Sequence, residues 1–296
     1  MNPQLNPQLN QELNPELSPR MSPRLRPRLS PRPGIRLAAE VRHQTALIAR
    51  DPGPLIGYLL MGVLLITVTR PLYAAVAPRN ADKAVSGIDQ AAAGMAVMFS
   101  LFALKVGAAH LLNERTWHTW DRLLASPARF GEILLGKAVP IFLAVAVQQA
   151  LLFGFAAAAF GLHPRAGWWA LACCALGWSA CVLLLGFGAS TLARSPAQLS
   201  AAGDVFALLT TVLGGALVPV ALLPGWLRAI APVSPGYWAL AAYRDALAGT
   251  PGQLTRPLLM LGVFALAGAG GAALIGAWQR RPAFPARRRR AAMGQI

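Results

Sequence analysis

Six stretches of this chain stay apolar for about 20 residues at a time, and nothing else constrains its fold as strongly. A helix rises about 1.5 Å per residue, so ~20 residues cover the ~30 Å of hydrocarbon in a bilayer. The runs fall near Leu55–Val76, Ala91–Leu112, Ala138–Leu162, Trp168–Leu192, Leu199–Leu222 and Leu254–Trp278. They are continuous rather than alternating, which excludes an outer-membrane barrel. Only 13% of the residues are charged, about half the ~25% of a soluble domain. The expected fold is all-α, a polytopic membrane protein with six transmembrane helices.

Orientation follows from the basic residues. The net charge is +16, which in a soluble protein would point to nucleic acid. Here no soluble domain is large enough to seat a duplex, and the charge has a topological explanation. With the N-terminus inside, nineteen of the 27 lysines and arginines fall in cytoplasmic segments and six in outer ones. Arg70 and Lys105 complete the set within spans. The positive-inside rule then puts both termini in the cytoplasm. Residues 1–54 hold no apolar core of a cleaved signal, so the first span is expected to anchor the chain in the plasma (inner) membrane.

Three segments flank the spans. Residues 1–34 are a Pro-rich tetrapeptide repeat, acidic at Glu12 and Glu16, then basic from Arg20 to Arg32. Proline at nearly every fourth position opposes helix formation, so this tail is expected to be disordered and its basic half to graze anionic lipid. Ile35–Arg50 reads as an amphipathic interfacial helix, with Arg36 and Glu40 spaced to pair, stopped by Asp51-Pro52-Gly53-Pro54. Residues 282–296 are a basic cytoplasmic tail, leaving 35–281 as one membrane domain. Between spans five and six, Pro224-Gly225-Trp226, Pro232, Ser234-Pro235-Gly236-Tyr237-Trp238 and Tyr243-Arg244 mix aromatics and prolines. Re-entrant or interfacial helices forming an outer lid are expected there.

Between spans two and three lies a short polar segment, Asn113-Glu114-Arg115-Thr116-Trp117-His118-Thr119-Trp120-Asp121-Arg122-Leu123-Leu124-Ala125-Ser126-Pro127, running on to Gly136-Lys137. A basic, amphipathic segment so placed lies on the cytoplasmic face and can carry an outside push into the spans. Glu114-Arg115, Thr119, Asp121-Arg122-Leu123-Leu124-Ala125-Ser126-Pro127 and Gly136-Lys137 together resemble the signature of type-2 ABC export permeases, the daunorubicin-resistance-like drug and antibiotic exporters. The stretch from Pro219 through Pro224-Gly225-Trp226-Leu227, Ser234-Pro235 and Tyr237-Trp238 to Arg244 is similar to that family's loop before the last span. Thr116, His118 and Trp120 depart from it, standing where the family usually has an acidic residue, Gly and Leu.

The resemblance implies a permease that pairs with a second copy, as a homodimer or heterodimer, and binds a separate ABC ATPase subunit. ATP and Mg would be held by that partner, with no cofactor on this chain. Glu114, Arg115, Thr119, Asp121, Arg122 and Pro127 would then be the ATPase-coupling residues. The expected function is ATP-driven efflux of a hydrophobic drug-like or lipid-like substrate, and membrane lipids are partners. Export of a polysaccharide or lipid-linked glycan is the alternative within transport. A non-transporting scaffold is the alternative outside it.

Enzyme readings find no support. Gly131-Glu132-Ile133-Leu134-Leu135-Gly136-Lys137 follows the P-loop pattern until Ala138, where Ser or Thr should meet Mg²⁺, and no strand precedes it. Gly177-Trp178-Ser179 sits in an apolar run, but the last histidine, His163, precedes that run, so no later helix supplies a base. Cys173, Cys174 and Cys181 share one span and read as small buried hydrophobes with no metal spacing. Lys105 and Asp204 lie at matching depths in spans two and five, so an intramembrane charge pair is expected, the alternative being that Lys105 snorkels inward and Asp204 faces a hydrated vestibule. Gln148 and Gln149, midway along span three, are candidates for the substrate path or for interhelical hydrogen bonds. Glycines in spans four and six predict close helix contact.

Overall fold

The computed structural model describes residues 33–76, 86–116, 130–193 and 195–279, with the backbone alone at 33, 35–36, 76, 104–116, 130–134 and 274–279. Among these residues it is all-helical. The helices are α1 (Pro33–Arg50), α2 (Gly53–Val76), α3 (Gly87–Thr116), α4 (Phe130–Phe160) and α5 (Trp168–Leu192). After them come α6 (Pro196–Leu213), α7 (Gly225–Ile230), α8 (Pro235–Ala248) and α9 (Thr255–Gln279). Five segments, in α2, α4, α5, α6 and 251–273, are long and apolar enough to cross a membrane. The apolar part described for α3 is the shorter Gly87–Ala103, inside a 30-residue helix.

Local chemistry sets most of the ends. Ser86 and Asp89 form a reciprocal capping box at the start of α3: the Ser86 amide donates to Asp89 Oδ2 (2.9 Å) and the Asp89 amide to Ser86 Oγ (3.3 Å). Ser195 caps α6 by accepting from the Gln198 amide (3.1 Å), with Pro196 in the first turn. Gly249, at φ +80°, closes α8 in the left-handed conformation, its amide bonded to the Asp245 carbonyl.

Two boundaries differ from the sequence expectation. The fifth span was expected to reach Leu222, yet α6 stops at Leu213. The cause is Gly214-Gly215: Gly215 takes φ +78°, and a Cβ on Gly214 would fall 2.6 Å from the Thr210 carbonyl oxygen. The chain then doubles back across α3, so close that a Cβ on Gly94 would sit 2.4 Å from the Ala216 oxygen. Span three, expected from Ala138, begins as helix at Phe130, which moves Gly136 and Lys137 from a loop into α4.

The long helices form one bundle. Its far end gathers the end of α2, the start of α3, the α4–α5 turn and residues 214–254. Its near end gathers α1, the start of α4 and the α5–α6 turn. Twelve of the 25 residues of α5 are buried, whereas α2 is mostly exposed, so α5 is central and α2 peripheral. α5 and α9 make the most extensive helix pair. At its centre a Cβ on Gly188 would meet Gly268 O at 2.9 Å, the close approach that small residues allow where no hydrophobic effect drives association. Gly262 and Gly270 face open space, so only part of the glycine pattern serves packing. Cys174 and Cys181 are buried as expected, but Cys173 is exposed.

Candidate functional site

At the near end, α1 lies against the start of α4. Glu40 Oε1 is 3.8 Å from Lys137 Nζ, and Lys137 is almost fully buried. Gly136 makes room for Glu40, whose Cγ would come within 2.4 Å of a Cβ there, and Ile48 packs against the cluster of Ile141, Leu183 and Phe187. Burying an ammonium is costly unless it is paired, and Glu40 is placed to pair with it; the Arg36 side chain expected beside Glu40 lies outside the described residues. The N-terminal helix is thereby clasped to the helix that leaves the polar segment.

Of that segment, Glu114 and Arg115 lie on the last turns of α3. Thr119, Asp121, Arg122 and Pro127 lie outside the described residues. α3 runs unbroken from Gln90 to Glu114, about 36 Å at ~1.5 Å per residue. It therefore joins the polar segment to the far end as a single rod. The helices carrying Lys105 and Asp204, α3 and α6, are neighbours. Asp204 is exposed, and the Lys105 side chain lies outside the described residues.

The far end is held by polar side chains that the sequence did not single out as a set. Arg244 on α8 donates from Nε (2.9 Å) and from one terminal nitrogen (2.7 Å) to Gln90 Oε1. The Gln90 amide in turn donates to Gly215 O (2.9 Å). Tyr73 Oη donates to the carbonyls of Ala216 and Leu217, both at 2.8 Å. One cluster thus ties α2, α3, the 214–217 crossing and α8 together. Burial lowers the Arg244 guanidinium from its ordinary value, opposed by Tyr237, Asp245 and Tyr73. Burial likewise raises the Asp245 carboxyl, against the Thr250 hydroxyl bond and Arg244.

Mid-bundle, the two glutamines behave differently. Gln149 Nε2 donates to Ser179 Oγ (2.7 Å) and to Ala175 O (3.2 Å), while its Oε1 accepts from the buried Tyr243 hydroxyl. α4, α5 and α8 are joined through that one amide. Trp178 Nε1 adds a bond to Ser100 Oγ (2.5 Å), linking α5 to α3. Gln148 is 5% exposed, and neither side-chain amide atom has a hydrogen-bond partner. Of the two expected path residues, Gln149 is therefore engaged between helices and Gln148 alone keeps free hydrogen-bonding capacity.

A cavity of about 490 Å³ opens in the near half of the bundle. Its walls are α5 (Leu185 to Ala193), α6 (Gln198 to Phe206), α9 (Ala267 to Gly271) and Leu101 of α3, almost all apolar. The glycines at 186, 203 and 271 supply the missing bulk. Among the described residues no cluster of His, Cys, Asp or Glu is suited to a metal.

Residues 37–248 match the family model described as ABC-2 type transporter. The linearmycin resistance permease protein LnrN of Bacillus subtilis (strain 168) is 26% identical over 161 residues. That stretch is 53% of this chain and 40% of that protein, so the likeness spans less than half of the relative's length.

Proposed function

The chain belongs to the ABC-2 type transporter family, the membrane permease components of ABC transporters, and from that premise we propose that it is the six-span permease subunit of an exporter. A separate ABC ATPase subunit supplies the power, and the permease works with a second copy in the plasma membrane, both termini in the cytoplasm. α1 lies in the interface and 214–254 forms a lid with re-entrant helices. The cargo is a hydrophobic drug-like or lipid-like molecule. Likeness to a linearmycin resistance permease and an apolar cavity in the near half both support that class. Exposed apolar stripes on α2 (Leu60, Leu64, Val68) and α6 (Val205, Leu208, Leu209) suit lipid or the second copy.

The observation that carries the mechanism is α3. Glu114 and Arg115 ride its near end and Gln90 its far end. A displacement of the polar segment by a closing ATPase therefore moves the Gln90–Arg244 contact in the same stroke. Glu114, Arg115, Thr119, Asp121, Arg122 and Pro127 form the coupling surface. The reading includes a charge pair between Lys105 and Asp204, carried by the neighbouring helices α3 and α6, and a contact of the Gln148 amide with the cargo.

The test is purification of the tagged protein in native lipid, with co-purifying proteins identified and ATP hydrolysis measured. A stoichiometric ATPase with its own P-loop, lost on replacing Glu114 and Arg115 by Ala, is the expected result. A chain that retains the ATPase after that double replacement refutes this coupling surface, and one that never captures an ATPase refutes the exporter reading.

A further inference from the structure

We propose that the near-half cavity holds the hydrocarbon tail of a membrane amphiphile from the adjacent leaflet, as a site within a single chain. This inference needs only that the helices lie in a bilayer; it does not depend on transport or on an ATPase.

Volume, lining and depth carry the assignment. An apolar cavity of about 150 Å³ stays dry and accepts a benzene-sized guest. At about 490 Å³ this one is some three times larger, room for roughly 18 carbons by the same ratio. Water finds almost nothing to bond: Gln198 is the polar side chain of the lining, at the near margin beside the Ser195 cap. A water-filled cavity needs two to four polar partners per molecule, so the guest must be apolar. The cavity runs from Gln198 to Phe206 along α6, about 12 Å at ~1.5 Å per residue. That is most of one leaflet's ~15 Å of hydrocarbon. A tail entering at the headgroup level would be covered over most of its length. Gly188 against Gly268 closes the inner wall by backbone contact, so the space cannot be filled by sliding α5 onto α9.

The guest also explains the small residues. Gly203 and Gly271 line the cavity, and Gly271 has nothing within 4 Å of where a Cβ would stand. No neighbouring atom requires glycine at Gly271, and its absent side chain leaves that room to a guest.

The test is photolabelling of the full chain in phospholipid nanodiscs, using a 16-carbon fatty acid with a mid-chain diazirine and mapping the adducts by peptide mass spectrometry. Adducts on 185–206 and 267–271 should exceed those on the exposed α2 face by at least about tenfold, equivalent to ~1.4 kcal/mol of preference over bulk lipid. Ala189→Phe and Ala202→Phe both point bulk into the cavity from exposed positions and should bring the ratio near one. Equal labelling of α2 and the cavity walls in the unaltered protein overturns the proposal, as does a ratio unchanged in both filled variants. If a variant fails to fold, the unaltered map still decides. Loss of ATPase capture bears on the exporter reading alone, because the labelling uses no nucleotide.

Discussion

Arg244 and Gln90 should be coupled by more than 1 kcal/mol, and a double-mutant cycle can measure it. Arg244 makes two bonds to one acceptor, Gln90 Oε1, at 2.9 and 2.7 Å. Hydrogen bonds involving a charged group contribute ~1.5–3 kcal/mol in soluble proteins, whereas interhelical bonds in a bacterial membrane protein average only ~0.6 kcal/mol. Two shared bonds at a partly buried site place Arg244→Met at about 2–4 kcal/mol. Gln90→Leu removes the same bonds and also strands the cation, so it should cost at least as much. The double variant removes charge and acceptor together and should cost clearly less than the sum. For a chain this size about 1 kcal/mol shifts the midpoint by ~2–4 °C, so each single variant should lose roughly 4–16 °C in detergent, followed by size-exclusion after heating. Arg244→Lys should fall between, because an ammonium cannot place two parallel donors on one oxygen. Strict additivity would mean the two side chains stabilise independently, and the far-end contact would not be the joint between α3 and α8.

Three further outcomes follow from specific contacts. Gln148→Leu should raise thermal stability by about 1–2 kcal/mol, since both amide atoms lack partners where burial is costly; a loss of stability would show that the amide is already satisfied. Gly94→Ala should lower it by about 1–3 kcal/mol, because the new Cβ would stand 2.4 Å from the backbone oxygen of Ala216; a neutral result would mean the crossing shifts freely. Asp245 binds its proton more tightly in the folded chain, so its contribution to stability is fullest in acid and falls as pH rises through the ordinary carboxylate range to the raised value. Asp245→Asn should remove that slope from midpoints recorded between pH 4 and 7, and an unchanged slope would assign it to other groups.

The spans were legible because a bilayer imposes a length. Trp168–Leu192 was read to the residue, and α9 began one residue from expectation. Hydropathy failed where the backbone turns without becoming polar. Ala216, Leu217 and Val218 are as apolar as the helix before them, so the run looked continuous through Gly214-Gly215. The proposed coupling residues rest on resemblance alone, since no spacing rule shows what a loop between two spans binds. The far-end cluster was hidden for another reason: Tyr73, Gln90 and Arg244 come from three separate segments, each looking alone like an ordinary polar residue near a membrane boundary, and Gly215 joins them only through its backbone carbonyl. Lys137 was misplaced because charge marks a loop unless a partner is known, and Glu40 lies nearly one hundred residues away.

The division of labour between Gln148 and Gln149 joins these elements into one argument. A polar side chain buried among helices is costly unless it is bonded, and Gln149, unlike Gln148, escapes that cost by joining α4, α5 and α8 at once. Its network fixes α8 to the static centre of the bundle, while Arg244, the next residue after Tyr243, fixes the same helix to α3. α8 is thus held by two adjacent residues to two different partners, one central and one continuous with the polar segment at the near end. A pull on α3 must either break the Arg244 bonds or drag α8 from Gln149. The Arg244 contact is only partly buried, so solvent can recover some of what its broken bonds lose. The Tyr243 contact is buried and has no such recovery. Under the proposed mechanism, this asymmetry makes the Gln90–Arg244 contact the first to yield to a pull on α3 and the Gln149–Tyr243 contact the last.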